Sequence, residues 1–125
     1  MKKKILFIED EFNLQTTLGE FLRKEGYEVV SALDGEAGLR MAKKEKPDLI
    51  LLDLILPKKH GLDVLKELKD NEETKDIPVI IFTNLETAND VQKALELGAN
   101  TYLVKANYSL DDIARKIRNQ FEERK

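Results

Sequence analysis

Four places along the chain carry side chains suited to chemistry. Glu9, Asp10 and Glu11 are consecutive, while Asp53, Thr83 and Lys105 are far apart in sequence. Each place directly follows a short apolar run, at 5–8, 49–52, 79–82 and 101–104. Carboxylates brought together repel, by about 4 kcal/mol per pair at ~4 Å and an effective dielectric near 20. Either a proton stays on one of them or a cation sits between. Donors that are all oxygen, with no His or Cys beside them, favour a hard divalent ion. Few protein ligands with room for water favour Mg²⁺. A carboxylate beside such an ion, a hydroxyl and an ammonium can attack a phosphoryl group. The aspartate is then the nucleophile, and the positive charges offset those on the equatorial oxygens.

That chemistry requires elements that bring the four places together. A fifth apolar run lies at 27–32, and several of the five are apolar continuously rather than at every second residue. Strands read this way when both faces of a sheet are covered. Amphipathic stretches lie between the runs. Leu14, Leu18, Phe21 and Leu22 make one stripe, stopped by Gly26; Leu62, Leu65 and Leu68 make another. Ala88, Val91, Ala94 and Leu95 are closed by Gly98, and Leu110, Ile113, Ala114, Ile117 and Phe121 form the clearest stripe. The remaining stripe, Ala37, Gly38, Met41 and Ala42, is thin. Asp34-Gly35 turns the chain into it, and Pro47 and Pro78 precede two of the runs. Thr87 with Asp90, and Ser109 with Asp112, have the spacing of a helix-opening capping box.

Strict strand–helix alternation predicts a parallel sheet with right-handed crossovers, a doubly wound α/β sandwich of flavodoxin-like type. With five strands the expected order is 2-1-3-4-5, an order whose standard examples bind ligands beyond the carboxyl ends of the strands at the switch point. The acids, Thr83 and Lys105 would meet on that rim.

The chain has 125 residues, the size of one domain, and 1–125 is read as one unit. Folding at this size buries roughly 65–70% of the surface that the open chain exposes, enough for a core without metal or disulfide. Lys plus Arg number 21 and Asp plus Glu 24, a net charge of −3 that argues against a dedicated nucleic-acid binder. Cysteine is absent, which excludes disulfides, thiolate metal sites and thiol nucleophiles. No apolar stretch approaches the ~20 residues of a membrane span. Lys2, Lys3 and Lys4 precede an apolar run too short for a signal peptide, so a cytoplasmic location is expected.

The ordered pieces resemble a bacterial response-regulator receiver domain over essentially the whole chain. They are Ile8-Glu9-Asp10-Glu11, then Leu51-Leu52-Asp53-Leu54-Ile55-Leu56-Pro57 with Gly61, then Thr83, Leu97-Gly98-Ala99 and Tyr102-Leu103-Val104-Lys105. The resemblance implies a phosphorelay protein and no enzyme in the usual sense. Asp53 would accept a phosphoryl group from a sensor histidine kinase or a phosphotransfer protein. Asp10, Asp53 and the Ile55 backbone carbonyl would ligate Mg²⁺, with Glu9 acting through water. Thr83 would bond the phosphoryl group, Lys105 would pair with it, and Tyr102 would be the aromatic switch. The face made by helix four, strand five and helix five would meet a downstream protein. The chain is expected to end after its last helix, so output would pass to a separate molecule or through phosphorylation-dependent self-association.

Some positions depart from the family pattern. Ala106 follows Lys105 where the family usually has a cis proline. A cis bond costs ~2.5–4 kcal/mol before Ala against about 0.5–1 before Pro. A rearranged trans loop is therefore preferred over a strained cis bond, and a trans bond leaves the place of Lys105 open. Asn84 replaces the family's common Ala after Thr83. Ile55 and Leu85, two residues after Asp53 and Thr83, are apolar and cannot position an attacking water, which predicts a long-lived phosphoryl group.

Asp53 alone would read as a solvated acid at a strand end; Glu9, Asp10 and Lys105 reverse that. Tyr102 alone would read as packing. His60, the single histidine, reads as a solvated loop residue, and the lysines at 2–4 and 43–46 as solvated faces. A nucleotide or flavin binder needs free backbone amides after strand one, where this chain has three acids and no glycine. A phosphohydrolase of related chemistry would carry a second Asp where Ile55 stands. A degenerate receiver that binds partners without phosphorylation is the second reading.

Overall fold

The structure, a computed structural model, describes residues 2–83 and 88–123. Five strands, β1 (Lys4–Ile8), β2 (Glu28–Ala32), β3 (Leu49–Leu52), β4 (Val79–Thr83) and β5 (Thr101–Val104), form one sheet. Five helices alternate with them: α1 (Phe12–Lys24), α2 (Gly35–Glu45), α3 (Gly61–Asp70), α4 (Ala88–Glu96) and α5 (Leu110–Glu123). Every pairing is parallel and the order is β2-β1-β3-β4-β5, as the alternation predicts.

The continuous apolar runs are explained by two cores. Ile5, Phe7, Leu49, Leu51, Ile80 and Phe82 point to the side covered by α1 and α5, where Leu18, Leu22, Ile113 and Ile117 meet them. Leu6, Ile8, Ile50, Leu52, Val79 and Ile81 point to the other side, under Leu39, Val64, Leu65, Leu68 and Val91. Successive strand residues face opposite ways, so a strand between two helical layers has no polar positions to alternate with. The central strands are dry on both faces along residues 5–8, Leu49–Leu52 and Val79–Thr83.

The thin stripe of α2 has a packing reason. A Cβ on Gly38 would lie 2.7 Å from the Ile8 side chain, so the small residue lets α2 lie close against β1. Little apolar surface is needed at such an approach. The helix opens on the Asp34 side chain, which accepts from the Ala37 N–H at 2.8 Å.

At α5 the expected box is present in both directions. Asp112 N–H donates to Ser109 Oγ at 3.2 Å, and Ser109 N–H donates to Asp112 Oδ2 at 3.3 Å. The Ser109 N–H first, and the nearby Ser109 hydroxyl next, hold the Asp112 carboxyl below the ordinary aspartate range. The corresponding box of Thr87 and Asp90 rests on Thr87, which, like Asn84 and Leu85, lies outside the described residues. The stops expected at Gly26 and Gly98 are both left-handed, with φ of 101° and 113°.

Candidate functional site

The carboxyl ends of β1, β3, β4 and β5 are adjacent in this sheet order, and they carry the chemistry-bearing residues to one rim. Asp53 N–H donates to Ile8 O at 3.0 Å, which joins the end of β3 to the end of β1. Glu9, Asp10, Glu11, Asp53, Ile55, Thr83 and Lys105 line one open depression of about 430 Å³. A hollow of about 540 Å³ involves Lys3, Asp48, Glu72, Glu73 and Asp76 at the opposite edge, but no hydroxyl lies among its lining side chains. Chemistry, rather than size, distinguishes the site.

Asp53 is buried, and its two oxygens have different neighbours. Oδ2 accepts from Lys105 Nζ at 2.9 Å, and Oδ1 from the Ile55 N–H at 3.3 Å. Lys105 Nζ also lies 2.6 Å from Glu9 Oε1, an ion pair without hydrogen-bond alignment. The same ammonium sits 5.6 Å from the centroid of the Phe82 ring, whose face favours a cation. Burial works against the charged lysine, yet the Glu9 and Asp53 carboxylates outweigh it and hold Lys105 above the ordinary lysine range.

The peptide after Lys105 is trans, since no cis bond occurs among the described residues. Lys105 nevertheless keeps its place at the acids. Lys105–Asn107 form a 3-10 turn that takes up the change of direction, and the long lysine stem still reaches both acids.

Glu9 is fully buried, and each of its polar groups but Oε1 is hydrogen-bonded. Its N–H donates to Ala32 O at 3.0 Å, and its Oε2 accepts from the Glu11 N–H at 3.1 Å. Its carbonyl accepts from Gln15 Nε2 at 3.0 Å, and its Oε1 faces Lys105. Burial pushes the Glu9 carboxyl up to about 7; Lys105 opposes this and the neighbouring Asp53 charge adds to it.

Carboxylate oxygens of Glu9, Asp10 and Asp53 lie within 4.8 Å of one another. Asp10 is exposed where the other two are buried, so the cluster opens to solvent on one side. The all-oxygen donor set and a buried Glu9 Oε1 that lacks an aligned hydrogen bond fit a small hard cation. The buried Thr83 closes β4 beside the cleft. Tyr102, on the adjacent strand β5 opposite Ile81, has 42% of its surface exposed and faces outward. Gly61 explains its place in the motif. A Cβ there would lie 2.5 Å from Asp53 O and 2.4 Å from Leu54 Cα, so α3 can start against the acid only through a glycine.

Two residues do more than the sequence suggests. His60 is exposed in the loop before α3, as read, and has a structural part as well: its Nδ1 accepts from the Leu62 N–H at 3.1 Å to cap α3, and its Nε2 lies 4.0 Å from Asp90 on α4. Gln15 escapes notice altogether. It lies on the buried side of α1, and its side-chain nitrogen is within hydrogen-bond distance of three backbone carbonyls. The signal was present, because Gln15 precedes Leu18 and Leu22 at helical spacing and so places a polar residue on the apolar stripe.

Residues 5–118 match the family described as response regulator receiver domain. The chain is 42% identical over 105 residues to the alkaline phosphatase synthesis transcriptional regulatory protein PhoP of Bacillus subtilis (strain 168), covering 84% of this chain and 43% of that protein. It thus spans about half or less of the length of this and several other curated relatives. It is 37% identical over 113 residues to sporulation initiation phosphotransferase F of the same organism, covering 90% of this chain and 89% of that one. Among solved structures, the receiver domain of sensor histidine kinase PA1611 from Pseudomonas aeruginosa PAO1, with a magnesium ion coordinated in its active site cleft, superposes with a TM-score of 0.86. It shares 29% identity, over 95% of this chain and 97% of that one.

Proposed function

Because the chain belongs to the response regulator receiver-domain family, we propose that Asp53 is its phosphoacceptor and that phosphorylation there changes which partner it binds. The reading is carried by one juxtaposition: Asp53, held at 2.9 Å by the Lys105 ammonium, beside the Glu9 and Asp10 carboxylates. An Asp53 carboxylate oxygen attacks the phosphorus of a phosphohistidine on a sensor kinase or a phosphotransfer protein. A P–O bond forms, the P–N bond breaks, and its electron pair goes to the imidazole nitrogen, which takes a proton from solvent. Asp10, Asp53 and the Ile55 carbonyl would hold Mg²⁺, with Glu9 reached through water; the ion supplies positive charge for the phosphoryl oxygens. Lys105 adds to that charge from the opposite wall, and the Thr83 hydroxyl donates to a phosphoryl oxygen.

The consequence travels along β4 and β5. Thr83 pairs with Val104 and Ile81 with Tyr102 in the sheet register, so a shift at Thr83 is felt where Tyr102 leaves the surface. Tyr102, Tyr108 and Leu97 are exposed apolar groups of the α4–β5–α5 face, which suits a downstream protein in the cytoplasm. Incubation with Mg²⁺ and a small acyl-phosphate donor, followed by intact-mass measurement, tests the reading. Wild type should gain one phosphoryl group, while Asp53→Asn and a chelator-treated sample should gain none. An unmodified wild type would favour a receiver that binds partners without phosphorylation.

A further inference from the structure

We infer that Gln15 is a positioning residue for the cation-binding acids, acting through the backbone of Glu9; this rests on the reading of that cluster as a Mg²⁺ site. Gln15 has only 5% of its surface exposed, and its Nε2 lies 2.8 Å from Phe7 O, 3.0 Å from Glu9 O and 3.1 Å from Ala32 O. An amide has two N–H donors for these three acceptors, so one hydrogen is shared. The three carbonyls come from the end of β1, the residue just past it, and the last residue of β2. One side chain on α1 therefore fastens two strand ends and the loop that carries Glu9 and Asp10.

Gln15 is a polar group on the buried stripe of Leu18 and Leu22, and its N–H donors are directed at backbone carbonyls. An apolar residue of the same size would fill the space but would not orient the Glu9 carbonyl, and with it the backbone from which the two acids project. Partners that orient metal ligands at one remove commonly change metal affinity by about 10–100-fold when removed.

The experiment is a calorimetric Mg²⁺ titration of the full chain, alongside urea unfolding, for wild type, Gln15→Met and Gln15→Lys. Met keeps the shape and removes the donors; Lys restores N–H donors. Gln15→Met should raise the Mg²⁺ dissociation constant about tenfold or more, and Gln15→Lys should recover most of the loss. A purely structural residue would change the unfolding midpoint and leave the folded protein's Mg²⁺ affinity alone, so an unchanged constant in Gln15→Met overturns the inference. Should either variant fail to fold, the wild-type Gln15 side-chain amide resonances decide: they should be protected from exchange and shift on Mg²⁺ addition, and signals indifferent to Mg²⁺ overturn it. A wild type that binds no Mg²⁺ would instead remove the reading on which the inference rests.

Discussion

Ile55 stands over the cleft with half of its surface exposed, two residues beyond the Asp53 it shields, while its own N–H donates to Asp53 Oδ1 at 3.3 Å. An apolar side chain there leaves an approaching water unoriented. Replacing Ile55 by Asn offers a donor and an acceptor at the same place and should speed loss of the phosphoryl group on the order of tenfold. That is less than the hundredfold and more of a true general base. The decay of the modified mass after donor removal measures it, and an unchanged decay would show that Ile55 does not govern access. Lys105 illustrates what sequence alone leaves open at this scale. The change from Pro to Ala was legible, and the trans bond followed from its energy. The reach of the lysine was not legible, because it depends on a 3-10 turn and on the Phe82 ring 5.6 Å from the ammonium.

Helix starts form the next scale, and here local sequence was mostly sufficient. Asp34 caps α2 through the Ala37 N–H at 2.8 Å. Asp34→Ala should therefore lower stability by about 1 kcal/mol, read from the urea midpoint; a loss below the error of the fit would show the cap to be dispensable. Ser109 and Asp112 were recognisable from spacing because both partners lie within one turn. The stripe of α2 was faint for a physical reason, since Gly38 replaces apolar bulk by close approach to Ile8. His60 and Gln15 were opaque for a different one. The Asp90 that His60 meets is on another helix, and Gln15 reaches Ala32 O across 17 positions of sequence. Which carbonyl a buried amide meets is decided by tertiary packing, and periodicity can say only that the residue faces inward.

At the scale of the molecule, the sheet order does the functional work by making the ends of β1, β3, β4 and β5 neighbours. That order was legible from the alternation of apolar runs and stripes. With Glu9, Asp10 and Asp53 read as a cation site, a bound ion should stabilise the whole fold. Mg²⁺ at about 100 times its dissociation constant should add ≈ 2.7 kcal/mol to unfolding stability. Paired urea titrations with and without the ion check this, and coincident curves would mean that the folded protein does not bind it. No helix among the described residues is long and apolar enough to cross a membrane.

The division of the interior by the sheet reaches beyond one molecule. Side chains of one cluster, such as Phe7 and Phe82 with ring centroids 6.2 Å apart, share space with each other and not with those across the sheet. Over evolutionary drift the two halves of the interior can therefore vary independently. A lost methylene at Phe7 or Leu51 can be made good by growth at Phe82 or Ile117, but not at Leu52 or Ile81, and coevolving pairs among descendants of this chain should sort by the side of the sheet they occupy.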